Sequence, residues 1–198
     1  IATGLATARP DLSVWVIGGD GDMLSIGGNH LIHALRRNVN LTILLLNNQI
    51  YGLTKGQYSP TSKVGQVTKS TPVGSVDNPF NPVSLALGAE ATFVARTHDM
   101  DRKHMTETFR RAHAHRGSSF VEVYQNCNVF NDGAFAAGTA KEARPNMLID
   151  LKHGEPIRFG AEGQHGVVLN ARGETEVVDV ADVGEDRLLV HDAHRDDP

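Results

Sequence analysis

Apolar runs separated by amphipathic segments and turn residues fill the first two-thirds of the chain. Four of these runs predict β-strands, at residues 14–17, 41–46, 91–95 and 119–124. The runs are apolar through most of their length instead of alternating with polar residues. This pattern is typical of strands that are buried on both faces of a parallel sheet.

Helical patterns lie between the predicted strands. Two helices, one after the first strand and one before the last, have apolar stripes: Leu31, Ala34 and Leu35 in the earlier helix, and Met105, Phe109 and Ala112 in the later one. Asn81-Pro82 predicts the cap and first residue of a short helix through Ala89. Asp99 and Gly117 are candidates for the N-cap and C-cap of the later helix.

The pattern changes after about residue 150. Short apolar segments alternate with glycine-containing turns from Ile157 to Val190, which predicts small β-hairpins. We therefore expect an α/β domain over residues 1–150 and a small β-rich region over residues 151–198.

Strands joined by helices predict a mostly parallel sheet with helices on both faces. Ligands of such sheets bind at the carboxyl ends of the strands. Gly19-Asp20-Gly21-Asp22, Asn47-Asn48 and Cys127 each follow a predicted strand, so we expect them at one edge of the sheet. A long polar segment, Gln49 to Pro79, also follows a strand, and loops of this length are usually functional or disordered.

Composition and charge exclude several classes of function. The 198 residues are 40% hydrophobic and 21% charged, as in ordinary globular proteins, and they carry a net charge of −4. That charge does not favour nucleic-acid binding, and no apolar run is long enough to span a membrane. The single cysteine, Cys127, fits a reducing compartment, so we expect a cytoplasmic location.

Asp20 and Asn48 are candidate ligands of one metal ion. A carboxylate and an amide oxygen at neighbouring strand ends suit Mg²⁺, which prefers oxygen ligands. The glycines beside Asp20 would let a diphosphate approach the backbone, and Asp22 would support the turn or the helix start. The alternative is that both motifs are ordinary turns or caps.

This pairing resembles the thiamine diphosphate motif, in which Gly-Asp-Gly and a downstream Asn hold the metal that binds the cofactor's diphosphate. Three further segments are similar to the β subunit of 2-oxoacid:ferredoxin oxidoreductases, especially of the 2-oxoglutarate type: residues 25–38, 50–62 and 130–133. The resemblance extends from Ile1 to about Gly160 and is weaker after that. It identifies the chain as part of such a subunit, with a thiamine diphosphate-binding fold.

The resemblance implies an oxidoreductase that decarboxylates a 2-oxo acid on thiamine diphosphate and transfers the acyl group to coenzyme A. Electrons pass through a [4Fe-4S] cluster to ferredoxin, and the family's β subunit pairs with an α subunit. The backbone carbonyl of Ile50 would be a further Mg²⁺ ligand, and Gly52 and Leu53 would pack near the cofactor rings. Lys55 would meet a phosphate or a substrate carboxylate, unless it is a solvated loop lysine. The carboxylate that activates thiamine is not identifiable in this sequence, and the resemblance assigns it to the α subunit.

Cys127 matches one of the family's four cluster ligands, whereas the other three lie upstream of the position that matches Ile1. A free cysteine is otherwise most often a small buried apolar residue. One thiolate does not hold a cluster that needs four ligands. The opening segment Ile1–Ala8 also looks like the end of a helix stopped near Pro10, so we expect a piece of a longer polypeptide.

Two other functions remain open at this point. A non-oxidative thiamine diphosphate-dependent decarboxylase or carboligase would need neither Cys127 nor the Lys55-Gly56-Gln57 segment. A non-catalytic fragment would keep the fold and contribute only assembly contacts. The substrate preference for 2-oxoglutarate rests on the resemblance alone.

Overall fold

Four parallel strands form the sheet of the first part of the chain. In the computed structural model, which describes residues 1–195, they are β1 (Trp15–Gly19), β2 (Leu41–Asn47), β3 (Phe93–His98) and β4 (Ser118–Tyr124). The strand order is β1-β2-β4-β3, and every neighbouring pair is parallel. The predicted parallel sheet is therefore confirmed.

Helices cover both faces of this sheet, as predicted. They are α1 (Ala2–Ala8), α2 (Asp20–Leu24), α3 (Gly28–Arg36), α4 (Pro82–Gly88) and α5 (Arg102–Ala114). On one face, α1, α3 and α4 pack against a cluster that includes Ile43, Leu45 and Phe120. On the other face, Met105, Phe109 and Ala112 of α5 pack against Leu44 and Val121. Successive strand side chains point to opposite faces, so β2 and β4 contribute to both clusters.

The edge strand β1 is less buried than predicted. Trp15 is 37% exposed and Ile17 is 63% exposed, whereas Leu45 and Phe120 in the central strands are completely buried. The prediction of a buried strand was wrong here because β1 lies at the outer edge of the sheet, with β2 as its one neighbour among the described residues. An apolar run alone does not distinguish an edge strand from a central one.

Several helix boundaries differ from their predicted positions. The helix after Gly-Asp-Gly is two helices, α2 and α3, and α2 begins at Asp20 itself. Asp101, not Asp99, caps α5 through the backbone N–H of His104, and α5 ends at Ala114, before Gly117. The cap predicted at Asn81 is confirmed, since its side chain accepts a hydrogen bond from Ser84.

The chain divides into two compact units, Ile1–Phe135 and the residues from Ala136 onward. The second unit contains a three-stranded antiparallel sheet formed by β5 (Arg158–Phe159), β6 (His165–Leu169) and β7 (Thr175–Asp179). It also contains short helices: α6 (Ala136–Thr139), α7 (Arg144–Met147), α8 (Val180–Val183) and a 3₁₀ turn, Glu185–Arg187. This confirms the small β-rich region near the C-terminus.

The division into domains at residue 150 stays a prediction, and the two units found here separate earlier, after Phe135. Residues 196–198, which end the predicted second domain, lie outside the described residues. Within residues 1–195, no helix is both long enough and apolar enough to cross a membrane.

Candidate functional site

Asp20 is a buried carboxylate at the carboxyl end of β1. It is 1% exposed, and its Oδ2 accepts hydrogen bonds from Ser59 Oγ at 2.5 Å and from Thr61 Oγ1 at 2.6 Å. The one hydrogen-bond contact of its Oδ1 in the described part of the chain is long, 3.5 Å from the backbone nitrogen of Asn48. Within residues 1–195, no Lys, Arg or His side chain lies within ion-pair distance of Asp20. Buried charges in proteins are normally paired or bound to a metal, so this carboxylate suits a cation.

A chain of buried polar groups connects Asp20 with the neighbouring strand ends. Thr61 Oγ1 also lies 2.9 Å from Asn47 Oδ1, and Asn47 Nδ2 donates to Glu122 Oε1 at 2.7 Å. The other oxygen of Glu122 accepts from Arg96 Nε at 2.6 Å. Because Thr61 has one hydroxyl hydrogen, it donates to Asp20 or to Asn47 but not to both at once. These polar groups thus link Asp20, directly after β1, to residues of β2, β4 and β3 at one edge of the sheet.

Among these hydrogen-bonded groups, Arg96 is the one whose side chain is substantially exposed to solvent. Its side chain is 40% exposed, whereas that of Glu122 is 1% exposed. Its guanidinium also lies 5.0 Å from the ring centre of Tyr124. Burial raises the pKa of the Tyr124 phenol, and the Glu122 carboxylate raises it further, while Arg96 partly opposes the rise.

The segment Asn48–Ile50 adopts a bent backbone directly after β2. Asn48 Oδ1 accepts from the Ile50 backbone N–H at 3.2 Å, and Gln49 has a φ of +56°. The left-handed region destabilises a non-glycine residue by about 1–2 kcal/mol, so this bend must be held by its surroundings. Gln49 N–H donates to Asn47 Oδ1, and Ser62 Oγ donates to the Gln49 carbonyl at 2.7 Å. Within residues 1–195, no hydrogen-bond donor reaches the Ile50 carbonyl.

Gly21 lies directly beneath the ring of Tyr51. A Cβ at Gly21 would lie 2.2 Å from a ring carbon of Tyr51, and the Tyr51 hydroxyl donates to the Gly21 carbonyl at 3.1 Å. Position 21 therefore requires glycine, and the contact joins the start of α2 to the segment after β2. Gly19, the N-cap of α2, lies close to the carboxylate of Asp22, which is exposed on the first turn.

Residues 51–57 form a small hairpin that extends from the site. It is closed by the Tyr51 N–H to the Gln57 carbonyl and by the Gly56 N–H to the Tyr51 carbonyl, both at 2.8 Å. Leu53 is 100% exposed, and Lys55 is also exposed, with a φ of +73°. A Cβ at Gly52 would meet no atom within 4 Å. Within residues 1–195, the Leu53 side chain therefore has no packing partner, and the Lys55 side chain is open to solvent.

Cys127 lies in a turn after β4, at the same edge of the sheet. It is partly buried, and its carbonyl accepts the backbone N–H of Asn131 at 2.9 Å. Asn131 Nδ2 in turn donates to the Asn48 carbonyl at 2.9 Å and lies 3.3 Å from the Gln49 carbonyl. The Cys127 turn is therefore tied to the Asn48–Ile50 segment.

The structure brings Asp20, Asn48 and Ile50 together, and it adds groups to which the sequence assigned no role: Asn47, Ser59, Thr61, Glu122 and Asn131. A signal for three of them was present, because Ser59, Thr61 and Asn131 lie in segments that carry the family resemblance. Nothing in the sequence indicated Glu122, which is a single acidic residue within a strand. Residues 1–195 contain no cluster of three or more His, Cys, Asp or Glu side chains that would hold a metal.

A family model described as the C-terminal TPP binding domain of thiamine pyrophosphate enzymes matches residues 1–123. The 2-oxoglutarate oxidoreductase subunit KorB of Mycobacterium tuberculosis is 65% identical over 198 residues, which cover all of this chain and 52% of that protein. A 2-oxoacid:ferredoxin oxidoreductase subunit beta of Saccharolobus solfataricus is 47% identical over 131 residues, 66% of this chain and 43% of that protein. The chain thus spans about half the length of the curated relatives it matches.

A solved structure is also similar: the 2-oxoglutarate:ferredoxin oxidoreductase from Magnetococcus marinus with 2-oxoglutarate, coenzyme A and succinyl-CoA bound. It is 47% identical with a TM-score of 0.65, and the match covers 66% of this chain and 45% of that one. The similarity to the mycobacterial subunit continues beyond Gly160, where the resemblance was expected to weaken. The chain belongs to the thiamine pyrophosphate enzymes, and its predicted similarity to β subunits of 2-oxoacid:ferredoxin oxidoreductases is confirmed.

Proposed function

We propose that this chain is the part of a 2-oxoglutarate:ferredoxin oxidoreductase β subunit that binds Mg²⁺ and thiamine diphosphate. The observation that carries the proposal is the Asp20 carboxylate, which is buried beside Asn48 without a cationic side chain from residues 1–195. A bound divalent cation would compensate this charge. The names of the relatives support the reaction and the 2-oxo acid.

Three oxygen atoms would hold the metal: a carboxylate oxygen of Asp20, the amide oxygen of Asn48 and the backbone carbonyl of Ile50. These are hard ligands, and Mg²⁺ typically combines a few protein oxygens with phosphate oxygens and water. The Asn48 amide oxygen accepts one hydrogen bond, from Ile50, and keeps a second lone pair. The donor set therefore fits Mg²⁺, with the diphosphate completing the coordination.

The glycines around Asp20 would accept the diphosphate. Gly19 leaves the backbone before the carboxylate uncovered, whereas Gly21 is buried beneath the Tyr51 ring and would place that ring beside the cofactor. Asp22 would support the first turn of α2. On the exposed hairpin, Gly52 and Leu53 would contact the cofactor rings, and Lys55 would meet a phosphate or the substrate carboxylate. Full exposure of Leu53 supports this assignment because no residue from 1 to 195 covers this side chain.

When bound, thiamine diphosphate would supply the carbanion stabilisation needed to decarboxylate a 2-oxo acid. The residues of this chain would orient the cofactor, compensate the diphosphate charge through the metal, and exclude water around Asp20. The Magnetococcus structure contains 2-oxoglutarate, coenzyme A and succinyl-CoA, which supports the same substrates here. The activating carboxylate and the ferredoxin contact would come from elsewhere in the assembly, including an α subunit.

Cys127 would be one ligand of a [4Fe-4S] cluster. Its turn lies at the same sheet edge as Asp20 and is linked to Asn48 through Asn131. The 198 residues contain one cysteine, and such a cluster takes four thiolates, so other parts of the subunit would provide the rest. The cytoplasmic location also stays a prediction, which cell fractionation of the native host would test.

The activity is tested with the full-length subunit assembled with its partner. We expect reduction of a viologen dye that depends on both 2-oxoglutarate and coenzyme A, together with the absorbance and electron paramagnetic resonance of an iron–sulfur cluster. Decarboxylation without acceptor reduction would instead support the non-oxidative alternative. Absence of both activity and cofactor binding would support a purely structural role.

The metal site is tested with Asp20→Asn, which removes the charge but keeps the size of the side chain. Calorimetry should show that Mg²⁺-dependent binding of thiamine diphosphate is abolished. Asp77→Asn is the matched control, because Asp77 is exposed. Within residues 1–195, its side chain accepts one hydrogen bond, from the Tyr58 hydroxyl. Unchanged cofactor affinity in Asp20→Asn would contradict the assignment.

A further inference from the structure

Asn131 contacts the Asn48–Ile50 segment from a distant part of the chain. Its Nδ2 lies 2.9 Å from the Asn48 carbonyl oxygen and 3.3 Å from the Gln49 carbonyl oxygen. The amide group has two hydrogens, so it donates to both carbonyls at once. Asn131 also closes the turn of Cys127 through its own backbone N–H.

These contacts act on the part of the backbone that is under strain. Gln49 has a φ of +56°, and its carbonyl is held by Ser62 Oγ as well as by Asn131. The carbonyls of Asn48 and Gln49 are therefore both engaged, whereas no donor within residues 1–195 reaches the next carbonyl, that of Ile50. Side chains that fix the conformation of metal-binding groups in this way strongly affect metal affinity.

We propose that Asn131 is a positioning residue of the Mg²⁺ site. It holds the two carbonyls before Ile50, so that the Asn48 side chain and the Ile50 carbonyl are arranged for the metal before it binds. The same contacts couple the turn of Cys127 to the cofactor site. This inference rests on the proposed function, since it assumes that the Asn48–Ile50 segment binds Mg²⁺.

Two substitutions test the role of the amide. Asn131→Leu keeps nearly the same side-chain size but removes both N–H donors. Asn131→Ala removes the same donors without adding bulk, so it shows whether an effect of the leucine comes from a poor steric fit. Asn128→Ala is the matched control because Asn128 is an exposed asparagine in the same turn. All three are made in the full-length subunit assembled with its partner.

The first measurement is the Mg²⁺ dissociation constant at saturating thiamine diphosphate, determined by calorimetry. We expect both Asn131 variants to bind Mg²⁺ about 10-fold more weakly or worse, and Asn128→Ala to stay within about 2-fold of the wild type. At saturating Mg²⁺, kcat should be retained, because Asn131 arranges ligands and touches no reacting atom. A merely structural role would instead lower kcat and the thermal midpoint while leaving the Mg²⁺ affinity of the folded fraction unchanged.

The second measurement is hydrogen–deuterium exchange of the 127–131 turn with and without Mg²⁺ and thiamine diphosphate. In the wild type, the cofactor should slow exchange in this turn, and in Asn131→Leu that protection should be lost while residues 59–62 remain protected. Wild-type Mg²⁺ affinity together with unchanged protection in both variants would overturn the inference and leave the proposed function intact. Absence of cofactor binding by the wild type itself would overturn both.

Discussion

The buried polar groups at the strand ends and the exposed 51–57 hairpin belong to the same proposed site, but they differ in how the protein holds them. Asp20 is 1% exposed and Glu122 is completely buried, and both lie in one series of buried polar groups. Leu53, a few residues after Asn48, is 100% exposed. The buried groups are positioned by the fold itself, whereas Leu53 at the hairpin tip is held by no contact of its side chain within residues 1–195.

Because of this difference, substitutions in the two regions should affect different properties, stability in one and ligand binding in the other. A substitution in the buried chain should lower the stability of the protein, because a buried polar group that loses its partner is strongly unfavourable. A substitution at the hairpin tip should leave stability unchanged and alter only binding. Each of the following experiments compares the free energy of unfolding, from urea denaturation of the full-length subunit, between a variant and a matched control.

The largest loss of stability is expected for Arg96→Ala. This variant leaves the buried Glu122 carboxylate without its cationic partner, which destabilises a protein by about 3 kcal/mol. Arg110→Ala is the control, since its ion pair with Glu107 is exposed and should contribute less than about 0.5 kcal/mol. Equal small losses in both variants would show that Glu122 does not depend on Arg96.

A smaller loss is expected for Thr61→Val, which replaces a buried hydroxyl with a methyl group of similar size. Asp20 Oδ2 would lose one of its two hydroxyl donors, and hydrogen bonds to charged groups contribute about 2 kcal/mol. Thr61→Ser keeps the hydroxyl and should retain most of the stability. If the valine and serine variants unfold at the same urea concentration, the hydroxyl is not what supports Asp20.

Gly21→Ala should reduce stability by about 1–2 kcal/mol, because the added methyl group overlaps the Tyr51 ring. Gly52→Ala is the control in the exposed hairpin, where the same methyl group meets nothing within 4 Å. Tyr51→Ala removes the overlapping ring. Adding Gly21→Ala to the Tyr51→Ala variant should therefore reduce the free energy of unfolding by less than Gly21→Ala does in the wild type. Additive losses would contradict a direct contact.

The smallest effect on stability, less than about 0.5 kcal/mol, is expected for Leu53→Ala. Burial of a leucine against the cofactor rings contributes about 1.5 kcal/mol, so thiamine diphosphate should bind roughly 10-fold more weakly. Leu169 is an exposed leucine of the second unit, so Leu169→Ala should change neither the free energy of unfolding nor the affinity for thiamine diphosphate. Unchanged cofactor affinity in Leu53→Ala would remove this residue from the site.

The sequence predicted the parallel sheet and the meeting of Asp20 and Asn48 because both follow from local patterns. Apolar runs such as 41–46 define strands, and parallel strands bring their carboxyl ends to one edge. The exposure of Ile17 was not predictable, since the order of strands in the sheet is a tertiary property. The confusion of Asp99 with Asp101 arose because both are residues of a type that caps helices and lie two positions apart, and only the backbone shows which side chain accepts a hydrogen bond from the first turn.

The contacts of the residues that support the site were also not predictable from the sequence, because they join distant segments. Glu122 lies within a strand, and its partners Asn47 and Arg96 lie in two other strands, so no short motif contains all three. Asn131 likewise acts across more than eighty positions of sequence on the Asn48 carbonyl. Contacts of this kind depend on the packing of distant segments, which residue patterns along one chain do not encode.

The edge position of β1 has a practical consequence for laboratory work. Among residues 1–195, one side of this strand has no pairing strand for its backbone N–H and C=O groups, and beside them Ile17 is 63% exposed. Open, apolar strand edges promote pairing with strands of other molecules. Handled alone, the 198-residue chain should therefore self-associate and precipitate at high concentration, so purification is best attempted with the full-length subunit and its partner expressed together.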